Sequence, residues 1–265
     1  SSATIGFRML FEVLQVRGWE VIVPAYTFSS PAMEAYHAGA RVVFCDVGPD
    51  YNVRAEDIEK KITSGTKAVV VPHFGGRACH MRAIWKLAAT HGFAVIEDAA
   101  HSFPAVYPHV AQGGVVGTSS LSLATVFSFY ATKCLTMGEG GAIASRNSDL
   151  IKLLKKYRLH GFDKDAFDRY TSPDNKWEYD VSVAGFKANM TDLQAAIGLA
   201  QLPYVQQDQQ KRMKINSIYR NYIGGDRLRD VSTVQESHHL FPVKLPYYCK
   251  RDQFGMWMKD KNIGW

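Results

Sequence analysis

The chain has 265 residues, 46% of them hydrophobic and 21% charged, and its 31 Lys and Arg against 25 Asp and Glu give a formal net charge of +6. That balance is too apolar for a disordered chain, and no apolar run approaches the roughly 20 residues that span a bilayer. The first turn reads as amphipathic helix rather than a signal peptide, so membrane and secreted classes drop out. From the amino end, helical spacing of apolar residues over Thr4–Val16 leads into a β-branched run at Glu20–Pro24. Ser30–Ala38 reads as a helix and Arg41–Val47 as a strand. The same alternation continues through Arg54–Ile62, Lys67–Pro72, Met81–His91, Phe93–Asp98 and Ala124–Phe129. Near-continuous apolar strands separated by helices predict a mostly parallel sheet covered on both faces, an α/β layer architecture. Ala142–Ser145 adds a short run after the glycines at 138, 140 and 141. Residues 162–182 are polar and read as a long excursion. A helical stretch from Thr191 to Tyr222, interrupted at Pro203, starts on a capping-box pattern with Gln194 three residues after Thr191. Beyond Gly224-Gly225, His239–Lys244 reads as a strand and Asp252–Lys261 as a helix.

Cys45, Cys79, Cys134 and Cys249 have no CxxC spacing, which removes a disulfide framework and a zinc site and favours a reducing cytoplasm. The basic groups Lys152 to Arg158 and Lys211 to Lys214 fall in helical patterns and read as solvated faces, so no nucleic-acid partner is expected.

Ligands of parallel α/β sheets bind beyond the carboxyl ends of the strands, and chemistry is sought there. Phe93–Ser102 (FAVIEDAAHS) ends an apolar strand in two adjacent carboxylates, fit for a metal, a base, a charged ring nitrogen, or a simple helix cap. Phe127–Gly141 (FSFYATKCLTMGEGG) puts Lys133 four residues past a strand, where a partly buried amine reacts with an aldehyde; by spacing alone it is equally a surface lysine. Ser128 presents a hydroxyl to a phosphate. Ser1–Thr4 either cradles an anion at a helix start or only caps it. Phe28 either stacks on a flat cofactor or packs into the core. Together, an acid, a lysine, a capped helix start and an aromatic platform are the four contacts that pyridoxal phosphate needs.

The blocks EVIVPAYTFSS, GARVVFCDV, TKAVVVPHFGG, VIEDAAHS, VFSFYATKCLTMGEGGAI, RLHGF and GFKANMTDLQAAIGLAQL resemble the DegT/DnrJ/EryC1/StrS sugar aminotransferases, over nearly the whole chain. The resemblance implies a pyridoxal 5'-phosphate enzyme of the aspartate aminotransferase fold (type I), with a three-layer α/β/α large domain over residues 1–203. Residues 204–265 would be a connecting helix and the start of a small α+β domain. Lys133 would be the Schiff-base lysine and proton shuttle, Asp98 the partner of the pyridine nitrogen, and His101 a neighbour of the phenolic oxygen. Ser128, with Ala3 and Thr4 in place of the family's Gly-Thr, would bind the phosphate, and Phe28 would stack on the ring. Asn189 would cross a homodimer interface to the partner's phosphate. The reaction implied moves an amine from glutamate or glutamine to a nucleotide-linked keto-sugar, and no metal is required. Ala3 in place of glycine puts the backbone's approach to the phosphate in question. The start at Ser1 and the stop at Trp265 give the expectation of a fragment, or an ordered part, of a longer enzyme. A non-catalytic protein that keeps the fold, possessing cofactor or partner binding without turnover, is the alternative, as is a sugar dehydratase relative. Dehydratases of the family carry His at the lysine position, so Lys133 favours the aminotransferase branch. A nucleotide-binding oxidoreductase is disfavoured by the absence of GxGxxG after a strand. His160 and Lys187 have either site or surface roles. The His238-His239 pair, without metal spacing, reads as structural.

Overall fold

A computed structural model of the chain describes residues 1–108, 114–163, 180–223, 228 and 235–264. Its helices are α1 (Ala3–Leu14), α2 (Ser30–His37), α3 (Ala55–Glu59), α4 (Met81–His91), α5 (Ser148–Tyr157), α6 (Asp192–Gln201), α7 (Val205–Tyr222) and α8 (Arg251–Asp260). Its strands are β1 (Glu20–Pro24), β2 (Arg41–Cys45), β3 (Thr66–Pro72), β4 (Ala94–Asp98), β5 (Ala124–Ser128) and β6 (Gly141–Ala144). They form one sheet in the order β2-β1-β3-β4-β5-β6, parallel except for the antiparallel edge strand β6.

The apolar runs behave as strands buried on both faces. Alternate side chains of β1, Ile22 against Val21 and Val23, enter different cores. Val69 and Val71 of β3 join Ile58 of α3 with Met81, Ile84 and Trp85 of α4, while Ala68 and Val70 join Phe7, Leu10 and Phe11 of α1 with Leu150 and Leu154 of α5. The α/β class expected from the sequence is the one observed, with helices on both sides of a mostly parallel sheet. Local chemistry sets the helix ends. Ser2 caps α1 by accepting from the Ile5 amide, Gly92 ends α4 in a left-handed conformation, and Thr191 and Gln194 form the expected capping box on α6. Pro203 falls in a single 3-10 turn between α6 and α7, as the interruption predicted.

Three expectations shift. The helix expected over Arg54–Ile62 forms only at Ala55–Glu59. The strand predicted over Arg41–Val47 stops at Cys45, where the Asp46 carboxylate takes the Val47 amide. The strand predicted over His239–Lys244 does not form; Val243 makes only an isolated bridge to Leu228. His238 has φ 51, which breaks an extended run, and the backbone of the preceding segment is bonded to loops instead: Ser237 and Leu240 donate to Gly76 and Gly75, and Gln235 accepts from Val106. Of the excursion expected over 162–182, residues 164–179 lie outside the described residues, and Phe162 pairs with Val181 across its base. Among the described residues, no helix is long and apolar enough to cross a membrane, and no group of three metal-binding side chains occurs.

Candidate active site

The carboxyl ends of β1, β3, β4 and β5 open on one cavity of about 350 Å³, within the roughly 300–1,000 Å³ of small-molecule sites. The connection from β1 goes outward to β2 and returns to β3 on the other side of β1. That reversal is where α/β sheets leave a crevice, and Thr27 and Phe28 after β1 face His73 and Phe74 after β3 across it. Ala3, Thr4, Phe28, Asp98, His101, Ser128 and Lys133, seven of the eight residues expected from the sequence, line this cavity.

Asp98 is the last residue of β4 and is only 6% exposed. Its Oδ1 accepts from the Ala100 amide at 3.0 Å. Burial raises its pKa, against the opposing pull of that hydrogen bond and of the Lys133 charge. A buried carboxylate in this condition is suited to a cationic N–H partner. Lys133 sits in the turn after β5, its amide donating to the Tyr130 carbonyl. Burial of the amine pulls its pKa down, with Asp98 acting in the opposite sense, so the site favours a neutral amine more than water does.

His101 accepts the Gly75 N–H on Nδ1 at 3.2 Å. A ring that accepts on Nδ1 is neutral and carries its proton on Nε2. Burial, Lys133 and His239 push the pKa of His101 down to about 3, so this neutral form persists far below pH 7.

At the other end of the cavity, α1 presents its first turn, where helix amides lack intrahelical acceptors and the dipole favours an anion. Ser128 at the end of β5 adds a hydroxyl beside it. The helix start at Ala3 packs closely against β6. A Cβ on Gly141 of β6 would stand 2.6 Å from the Ala3 nitrogen, so only glycine lets the helix start sit this near the strand. Phe28 is 70% exposed, a ring at the cavity's mouth and not in the core.

Asn189 lies elsewhere. Lys187 Nζ donates to its Oδ1 at 2.6 Å, and its neighbours Ala188 and Met190 line a separate groove with Ser1 and Gly141. The His160 ring lies against Phe162, tilted by 41° with centroids 5.6 Å apart, and neither it nor Lys187 lines the cavity. His73, Phe74 and Tyr130 were not singled out in the sequence, although they stand one or two residues past the ends of β3 and β5 and line the cavity. By spacing, His239 reads as structural. That ring stands 4.6 Å from His101, centroid to centroid, and burial with the charges of Lys133 and Arg212 pulls its pKa down to about 4.

Residues 1–265 match the DegT/DnrJ/EryC1/StrS aminotransferase family. The protein MJ1066 of Methanocaldococcus jannaschii is 36% identical over all of this chain and 69% of its own length. The spore coat polysaccharide biosynthesis protein SpsC of Bacillus subtilis is 41% identical over 80% of this chain, and the match spans about half, 54%, of SpsC. Among solved structures, the putative sugar aminotransferase Spr1654 of Streptococcus pneumoniae, in its PMP-form, superposes with a TM-score of 0.86 at 27% identity, over 99% of this chain and 71% of that one. Strand order, cavity and sequence agree: the chain belongs to the DegT/DnrJ/EryC1/StrS aminotransferase family.

Proposed function

We propose that this chain acts as a pyridoxal-phosphate-dependent sugar aminotransferase that passes an amino group from glutamate or glutamine to a nucleotide-linked keto-sugar. The observation that carries the reading is the meeting of Asp98 and Lys133, from the ends of two neighbouring strands, in one cavity that also holds a helix start. This donor set fits the cofactor. A buried carboxylate with a raised pKa suits a protonated ring nitrogen, a half-buried lysine suits an aldehyde, and α1 with Ser128 suits a phosphate. Spr1654 has been solved in PLP-, PMP- and apo-forms, which supports the same cofactor here.

When bound, pyridoxal phosphate supplies an aldehyde carbon for amine exchange and a ring that takes up an electron pair. The chain's own residues do the rest. Asp98 accepts a hydrogen bond from the ring nitrogen and holds the proton there, which also supplies its buried carboxylate with a cation. Lys133 Nζ, whose charged form burial disfavours, would move the proton between the amine-bearing carbon of the substrate and the cofactor's aldehyde carbon, general base and then acid at one atom. His101 directs its Nε2–H at the phenolic oxygen. The amides of Ala3 and Thr4 and the Ser128 hydroxyl hold the phosphate, and Phe28 covers one face of the ring. Asn189, outside the cavity of its own chain, serves the partner's phosphate across a homodimer, and the reaction runs in the cytoplasm.

Loading the protein with pyridoxal phosphate and adding glutamate tests this. The visible absorbance of the loaded protein should fall as one equivalent of 2-oxoglutarate forms, and a nucleotide-linked keto-sugar should restore it. Cofactor uptake with no amine exchange from glutamate or glutamine would refute the transaminase reading. Restoration by free keto-sugars as effective as by nucleotide-linked ones would refute the substrate class. Hybrids of Asn189→Ala and Lys133→Ala chains should regain part of the activity that each lacks alone.

A further inference from the structure

Residues 235–240 cross the loop after β3 as a strap. Glu236 anchors it, its carboxylate accepting from Arg77 Nε at 2.6 Å and its carbonyl from Gln209 Nε2 at 2.7 Å, both buried. Ser237 bonds to both sides of the site, its amide donating to the Gly76 carbonyl and its hydroxyl to the carbonyl of His101. The strap thereby sets His239 against His101, with the ring planes 42° apart. The His101 ring also meets Phe74 edge-on at 5.9 Å and takes the Gly75 N–H. Loop 73–77 and the strap are bonded to each other through Gly75 and Leu240, so the two jaws are one unit.

His239 is absent from the cavity wall, and its Nδ1 is buried without a hydrogen-bond partner. Burying such an atom costs free energy, which is tolerated where the ring's position is needed. We infer that His239 is a positioning residue: its ring closes a clamp that holds His101 in one orientation, with Nδ1 on the Gly75 amide and Nε2–H directed as a fixed hydrogen-bond donor into the cavity. An imidazole free to rotate would offer a donor and an acceptor by turns, whereas the clamped ring offers only a donor to an oxygen of the bound group. The use of that donor rests on the function proposed above, but the clamp itself does not.

The clamp is tested on the cofactor-free full chain by long-range proton–nitrogen NMR of the His101 ring at neutral pH. Wild type and His239→Phe should show one tautomer, with Nδ1 unprotonated and Nε2 protonated, because phenylalanine keeps the ring contact. His239→Leu, which fills the space without a ring face, should show a mixture of tautomers at unchanged secondary structure. His239→Leu retaining the single tautomer would overturn the inference, since the Gly75 bond would then suffice. Loss of the single tautomer in a folded His239→Phe would overturn it as well. Because no cofactor is present, failure here is distinct from failure of the aminotransferase reading, which cofactor uptake and amine exchange decide.

Discussion

Replacing Tyr107 by phenylalanine removes one oxygen from a fully buried polar cluster and leaves its ring in place. That hydroxyl donates toward both carboxylate oxygens of Glu97, at 3.1 and 2.9 Å, and accepts the Gly117 amide at 3.1 Å. Glu97 has 0% exposure, and its other partner is His73, at 2.7 Å. His73 accepts the Cys79 amide on Nδ1, so its proton is on Nε2 and is donated to Glu97 Oε2. Losing a hydrogen bond to a buried charge costs about 1.5–3 kcal/mol, and leaving the Gly117 amide unpaired adds about 1–3 kcal/mol. The phenylalanine ring keeps its edge contacts with Trp85 and His73, so no side-chain-sized void opens. The net loss should therefore be about 2.5 kcal/mol, the lower end of the summed range, because solvent reaching the cluster offsets part of it. Urea unfolding followed by tryptophan fluorescence and by circular dichroism measures it. A loss below about 0.5 kcal/mol, the level of an ordinary surface change, would refute the claim that Tyr107 supports a buried carboxylate.

The two clamped histidines set a pH dependence. Exposed imidazoles protonate near 6.5, whereas His101 and His239 protonate at about 3 and about 4, so the fold's preference for the neutral rings is full above pH 6.5 and is lost as pH falls toward those values. Unfolding free energy should decline through that window, and less steeply in a His101→Phe/His239→Phe double variant. An unaltered slope contradicts the shifts. The raised Asp98 carboxyl acts in the opposite sense, so the comparison is made in an Asp98→Asn background. Asp98→Asn itself should still take up pyridoxal phosphate but lose turnover by about 10²-fold or more, since a fixed charge beside the developing one is removed; unchanged turnover would refute the pyridine-pairing role. Gly141→Ala should push the first turn of α1 away from β6 and weaken cofactor affinity by about tenfold or more, roughly 1.4 kcal/mol. An equal affinity, read by titrating the cofactor's absorbance, would show that the helix start does not hold the phosphate.

The strands were legible because a strand buried on both faces needs apolar residues at every position, as EVIVP and KAVVVP supply. Met81–His91 was legible to the residue because Gly92 supplies the left-handed conformation that ends it. The adjacent Glu97 and Asp98 were recognisable as a pair, but their division of labour was not. Strand alternation sends Asp98 to the cavity and Glu97 to the opposite face, where His73 and Tyr107 meet it. Phe28 was open between stacking and core packing, since exposure depends on what the rest of the fold leaves uncovered. The place of His239 beside His101 was not legible, for a similar reason. Its contact with His101 spans much of the chain and is created by a strap whose backbone bonds to loops, so no local pattern announces it. The same bonding explains why the expected strand from His239 does not form.

The central claim is that Lys133 is the residue that engages the cofactor's aldehyde. Incubation with pyridoxal phosphate, reduction with borohydride, digestion and mass spectrometry locate the covalent mark directly. The account predicts one mark per chain, on the peptide containing Lys133, and no comparable mark in Lys133→Ala. A mark spread over exposed lysines such as Lys187, or placed stoichiometrically on any lysine other than Lys133, would contradict it.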